Sequence, residues 1–253
     1  MNIIISNLTW NNEDEALNIL SDLKINKIEC APSKIDTWDN LNIKRITSYK
    51  NKINQLGIDV YSLQSLFYNT GIKSLLETDG VIEHFKKLIE YSEVLGAKIL
   101  VFGSPGLRKK SPEIDYCLSK IFDYLEVYLE GKDIKICIEP NCKIYNGEFF
   151  IKMNEIVDFI KNYNNIQTML DTHNLYVEEE PLNDSFLKYK KYISHIHLSE
   201  VGMKPLEYQK YIDFINVIKE ENYKGGITYE AIDLGNLKLE VERFKNLIKK
   251  GEI

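Results

Sequence analysis

The sequence predicts one α/β domain, an eight-stranded parallel (β/α)8 or TIM barrel. Short apolar runs alternate with amphipathic helical segments along the whole chain, and strands alternating with helices build a parallel sheet. About eight such units fit into 253 residues, the usual length for a closed barrel of eight. No Pro/Gly/Ser-rich linker or block of like charge interrupts the series, so residues 1–253 are read as a single domain. A doubly wound open sheet is the alternative, and it uses fewer strands.

The first strand is Ile3-Ile4-Ile5. A helix then opens at Asn11 or Asn12, with Glu13, Asp14 and Glu15 in its first turn, where acidic side chains suit the positive end of the helix dipole. Residues 27–31 form the second strand, closed by Pro32. The stripe Ile43, Ile46, Ile53 and Leu56 marks a helix that stops at Gly57. Strand 58–63 is followed by helix 79–95, which Gly96 ends. The alternation continues as strand 98–103, helix 112–129, strand 134–139, helix 149–160 and strand 166–171. Pro181 opens a short helix before strand 193–199. A helix through Tyr208, Tyr211, Ile215 and Ile218, strand 226–230, and a last helix through Leu237, Val241, Phe244 and Ile248 complete the series.

Composition narrows the function. Hydrophobic residues at 44% and charged residues at 28% are enough for a globular core. A net charge of −6 with scattered lysines excludes a basic face for nucleic acid. No apolar run reaches the roughly 18 residues of a membrane span, and the start lacks the basic n-region of a signal peptide. The four cysteines form no CxxC pair, and Cys30 and Cys137 lie in apolar strand segments, so buried free thiols in a reducing cytoplasm are expected.

The chemistry gathers at the strand ends. Strand 193–199, Ile-Ser-His-Ile-His-Leu-Ser, puts His195 and His197 on one face. Buried imidazoles need hydrogen-bond partners or a metal. Glu139, Asp171 and Glu230 end the fifth, sixth and eighth strands, and the functional face of such a barrel lies at its carboxyl ends. Four neighbouring strands thus offer Glu139, Asp171, His197 and Glu230 to one point. Converging carboxylates repel unless a cation sits among them. Three oxygen ligands and an imidazole suit one divalent ion, Mn²⁺ first, with Mg²⁺, Co²⁺, Fe²⁺ or Zn²⁺ also compatible. There is no GxGxxG or phosphate loop, so no nucleotide cofactor is expected.

These motifs, Ile138-Glu139-Pro140, Leu170-Asp171-Thr172, His195-Ile196-His197-Leu198-Ser199-Glu200 and Tyr229-Glu230-Ala231, resemble the xylose isomerase-like barrel superfamily. The nearest branch is that of ketose 3-epimerases and hydroxypyruvate isomerases. Ile28-Glu29 and Leu95-Gly96-Ala97-Lys98 extend the match over most of the chain. The resemblance implies that Glu139, Asp171, His197 and Glu230 bind the metal. It also implies that Glu139 and Glu230 double as acid/base groups on opposite sides of a substrate carbonyl, and that the protein is a homodimer or homotetramer. The expected activity is isomerisation or epimerisation of a small sugar or sugar phosphate through a metal-stabilised enediolate.

Three positions depart from the ketose 3-epimerase pattern. Tyr145 stands where that branch has a further Glu, Asn174 where it has a substrate-binding His, and Met203 where it has an Arg. The resemblance therefore carries the chemistry further than the substrate contacts.

Other substrate contacts are read from loop positions. Arg108, ending Gly103-Ser104-Pro105-Gly106-Leu107-Arg108, is either an anion grip or part of a solvent-facing turn. Trp10 and Trp38 either wall a sugar pocket or pack loops. Glu29, Gln64, Tyr145 and Asn174 are placed at the pocket, with His173 and His195 behind the ligands, and His84 is read as a surface residue. Two competing functions remain at this stage: a metal-dependent dehydratase or lyase of a polyol or dehydroshikimate-type substrate, and a sugar-binding barrel without turnover.

Overall fold

The apolar runs fold as β1 (Asn2–Ser6), β2 (Lys27–Cys30), β3 (Asp59–Leu63), β4 (Ile99–Phe102), β5 (Lys135–Ile138), β6 (Ile166–Asp171), β7 (Ile193–Leu198) and β8 (Gly226–Tyr229). In the computed structural model, which describes residues 1–250, the strands pair in parallel in chain order and β8 closes onto β1. The last three residues of the expected 1–253 domain lie outside the described residues. The expected (β/α)8 barrel is the observed fold, and the open sheet is excluded by closure.

Helices α1 (Glu13–Asp22), α2 (Ile43–Asn54), α3 (Thr78–Leu95), α4 (Ile114–Tyr128), α5 (Met153–Ile160), α6 (Thr172–Val177), α7 (Leu182–Tyr189), α8 (Ile212–Glu220) and α9 (Leu237–Lys250) surround the sheet. Local chemistry fixes several ends. The Asn12 side chain accepts from the Glu15 amide and Asn42 from the Arg45 amide, each meeting a donor that the helix leaves free. Gly96 ends α3 at φ 82°, a left-handed turn that glycine adopts without steric cost.

Two expectations fail for identifiable reasons. The helix expected over 149–160 starts only at Met153, because Phe150 sits at φ 55° and its carbonyl accepts from the Asn141 amide. Helix α6 was not expected. It forms because Asp171, the last residue of β6, also caps it by accepting from the His173 amide.

The core has two compartments. Outside the sheet, Ile28, Leu100, Ile136, Leu170 and Ile196 meet helix residues such as Leu17, Phe85 and Phe244, each fully buried side chain contributing about 1.5–3 kcal/mol. Inside the barrel, Ile99, Val101, Cys137 and Met169 from β4, β5 and β6 pack together with Tyr61. The opposite half of the interior is polar, holding Glu29, Ser62, His195, His197 and Thr228 from β2, β3, β7 and β8, all buried. All four cysteines are buried and free. Among the described residues, no helix is long and apolar enough to cross a membrane.

Candidate active site

Glu139 and Glu230 lie one residue beyond β5 and β8, yet their backbones are still bonded to the neighbouring strand. The Glu139 amide donates to Phe102 O and the Glu230 amide to Leu198 O, each at 3.0 Å. Both carboxylates therefore project from the rigid rim of the barrel. His197, in β7, pairs in register with Asp171 of β6. Its Nδ1 is 3.0 Å from Glu230 Oε2 and 3.6 Å from Glu139 Oε1. Glu139, His197 and Glu230 each bring one donor atom within 4.8 Å of the other two.

Asp171 is held slightly apart from this group. Its Oδ1 accepts from the His173 amide at 3.0 Å and from Ser199 Oγ, and its Oδ2 accepts from Asn174 Nδ2 at 2.6 Å. Burial, then the nearby charges of Glu139 and Glu230, push its carboxyl up to about 8. Burial also raises Glu230. The site thus concentrates more negative charge than it can hold unpaired.

Behind His197 lies a fourth carboxylate. Glu29 is 0% exposed; its Oε1 is 2.8 Å from His197 Nε2, and its Oε2 is 2.9 Å from His195 Nε2 and accepts from Ser62 Oγ at 2.7 Å. The approach to His197 is poorly aligned, which leaves Glu29 Oε1 and His197 Nε2 without a hydrogen bond. Burial opposes charge on Glu29, but the two imidazoles outweigh it and hold the carboxyl well below the usual range. Burial likewise disfavours an imidazolium at His197, and the charges of Glu29 and Glu230 override it and raise His197. His195, which also meets Thr228 Oγ1 at 3.0 Å, is lowered by burial and stays neutral.

The donor set fits a divalent cation. Two carboxylate oxygens and an imidazole nitrogen already converge, and a cation among them would offset the negative charge of Glu139 and Glu230. Glu29 would then orient His197 from behind, as outer carboxylates orient metal-bound histidines. Asp171 Oδ2, which accepts one hydrogen bond, keeps a lone pair with which Asp171 could join as a ligand.

A cleft of about 590 Å³ opens on this group, and Glu139, Glu230 and Gln64 line it. Several expected positions require correction. Glu29 is sealed inside the barrel and supports His197, so it is not a substrate contact. Asn174 spends its side chain on Asp171 and on the Cys142 amide. Trp10 is buried and lines a separate depression near Asn11 and Asp233. Tyr145 turns its hydroxyl to His173, 3.3 Å from the ring, and is absent from the cleft wall. His84 is half-buried between Trp38 and Phe67, not at the surface.

Arg108 is the largest correction. It is 0% exposed, and its guanidinium donates to the carbonyls of Phe102 (2.7 Å), Glu139 (2.8 Å) and Phe150 (3.2 Å). Burial pushes it down to about 9, which still leaves it charged at neutral pH. Three backbone acceptors outcompete the solvent-facing and anion-gripping roles expected of it.

Sequence reasoning missed Ser62, Thr228 and Ser199, since single hydroxyls on strands or just beyond them carry no distinctive pattern. It also missed the part played by Gly103. A Cβ at Gly103 would overlap Glu139 Oε2, so only glycine lets that carboxylate lie against the β4 end. Gly103→Ala is expected to fold normally while binding Mn²⁺ at least about tenfold more weakly. Unchanged affinity in a calorimetric titration would remove Glu139 from the ligand set.

A family model described as xylose isomerase-like TIM barrel matches residues 17–247. Among solved structures, a 3-keto-D-glucoside 4-epimerase from E. coli is similar at TM-score 0.79 and 15% identity, over 97% of this chain and 99% of that one. D-psicose 3-epimerase from Clostridium cellulolyticum H10 is similar at TM-score 0.77 and 16% identity, over 100% of both chains. A probable 3-DHS dehydratase from Bacillus anthracis gives TM-score 0.68 at 10% identity, over 99% of this chain and 100% of that one. At such identities the likeness is one of fold. No protein of curated function matches the chain.

Proposed function

The chain belongs to the xylose isomerase-like TIM barrel family, and from that premise we propose that it is a divalent-metal-dependent isomerase or epimerase of a sugar. One observation carries this reading: Glu139 and Glu230 both open onto the cleft, and both reach toward the same imidazole nitrogen, at 3.6 and 3.0 Å. When bound, a cation at Glu139, Asp171, His197 and Glu230 would polarise the substrate carbonyl and offset the charge of an enediolate. Mn²⁺ is the first choice, with Mg²⁺, Co²⁺, Fe²⁺ or Zn²⁺ compatible.

The chain's own groups do the rest. One glutamate takes the proton from the carbon beside the carbonyl, and the other delivers a proton to the opposite face or the adjacent carbon. Return to the same carbon inverts a stereocentre; return to the neighbouring carbon moves the carbonyl. His197, set by Glu29 from behind, keeps Nδ1 aimed between the two carboxylates. Asn174, Ser199 and the His173 amide hold Asp171 beside them.

The test is solvent exchange. Metal-loaded protein is incubated in D₂O with a panel of ketoses, aldoses, keto-glycosides and sugar phosphates and followed by proton NMR. Deuterium is expected beside the carbonyl of one class, and EDTA should abolish its incorporation. Release of water from a substrate without exchange would point instead to dehydratase chemistry. Bound metal with neither result would overturn the isomerase reading.

A further inference from the structure

We propose that the substrate is a glycoside whose reacting sugar lies over Glu139 and Glu230 while a second ring, sugar or aromatic, packs against Phe67 and Tyr68; this rests on the sugar isomerase or epimerase reading above. The cleft does not end at the carboxylates. It runs on between residues 64–73, after β3, and residues 103–107, after β4. The far part is walled by Phe67, Ile72, Pro105 and Leu107, with Tyr68, 64% exposed, in the same wall. An exposed ring beside a concave apolar wall suits a flat group with one apolar face, such as a pyranose or an arene.

This wall is built in advance. His84 Nε2 bonds Leu66 O at 2.7 Å, and Trp38 Nε1 donates to Tyr68 O at 2.6 Å, so the backbone on both sides of Phe67 is pinned from behind. Ser65 and Ser104, at the roots of the two loops, take left-handed conformations at φ 53° and 49°. Such backbone persists where the surroundings impose it, often at ligand sites.

Two smaller substrate classes fit the far wall less well. A free monosaccharide seated over Glu139 and Glu230 would leave Phe67, Tyr68 and Ile72 uncovered. A sugar phosphate would need converging donors. Yet the Leu107 and Arg108 amides are spent on Ser104 O and Pro105 O, at 3.0 and 3.1 Å, and Arg108 faces carbonyls. Among the described residues, Lys73 is the one cation lining the cleft, and it is exposed.

The experiment titrates Mn²⁺-loaded protein with phenyl and methyl glycosides of glucose, galactose and xylose, both anomers, and with glucose 6-phosphate. Calorimetry is paired with saturation-transfer NMR. At least one phenyl glycoside is expected to bind tenfold or more tightly than its methyl counterpart. Tyr68→Ala should cancel that gain, and the phenyl protons should receive saturation. Equal affinity within every phenyl–methyl pair, with binding weakened by Glu230→Gln, overturns the second-ring site and leaves the carboxylate chemistry standing. Tightest binding by the phosphate, lost in Lys73→Ala, overturns it in favour of an anionic substrate. No binding by any of these sugars overturns the second-ring site, and the exchange experiment above then decides the isomerase reading by itself.

Discussion

Glu139→Gln and Glu230→Gln are each expected to lower conversion of substrate to its epimer or isomer by about 10³-fold or more, within the range that a positioned acid or base contributes. Gln keeps the size and one acceptor of Glu, so the barrel rim keeps its shape. Both backbones stay fixed through the bonds to Phe102 O and Leu198 O. Each substitution also removes a negative charge from a group in which Asp171 is already pushed up to about 8, so lost stability does not account for lost conversion. The double variant should be little worse than either single one, because two groups acting on the same proton transfer do not contribute additively. The check is product formation measured beside the thermal midpoint. More than a few per cent of wild-type conversion to the epimer or isomer in either single variant would end the two-base assignment.

Arg108→Ala is expected to destabilise the fold by about 3 kcal/mol or more. The buried Glu139 carbonyl would lose its donor, at roughly 1–3 kcal/mol, while Phe102 O and Phe150 O would each lose one of two donors and keep the Glu139 and Asn141 amides. The space between the Phe102 and Phe150 rings, whose centroids lie 5.2 and 5.8 Å from the guanidinium carbon, would also open. Arg108→Lys should recover little, since an ammonium lacks the planar fork that reaches several acceptors at once. Urea unfolding decides the matter. A loss below about 1 kcal/mol, together with a raised KM for an anionic substrate, would restore Arg108 to the substrate site.

These two predictions also mark what could be read from the sequence. The barrel was legible because burial of one strand face and one helix stripe is written in local periodicity. The strand-end residues Glu139, Asp171, His197 and Glu230 were legible because closure brings all such ends to one rim. Arg108 was not, because the direction of a loop side chain is set by carbonyls up to 42 residues away along the chain. Glu29 was placed on the right strand and misassigned, since the sequence does not say how deep in the barrel a strand residue sits. Asp171 combines two roles, strand end and helix cap, and its second role hid α6. The Phe67–Tyr68 wall had no sequence signal at all: its form depends on Trp38 and His84, which come from other parts of the chain.

The cleft has a further consequence for how such a protein can diversify. Apart from Glu139 and Glu230, the residues lining it fall between Gln64 and Leu107, whereas the four strand-end groups lie between Glu139 and Glu230. On the function proposed above, selectivity and reactivity would sit on successive stretches of the chain. Recombination near the middle of the chain would pair one parent's choice of compound with another's proton-transfer apparatus. The seam is Arg108, which reaches from the first half to the backbone of Glu139 and Phe150 in the second. A crossover there would also have to keep Gly103 beside Glu139 and Glu29 behind His197.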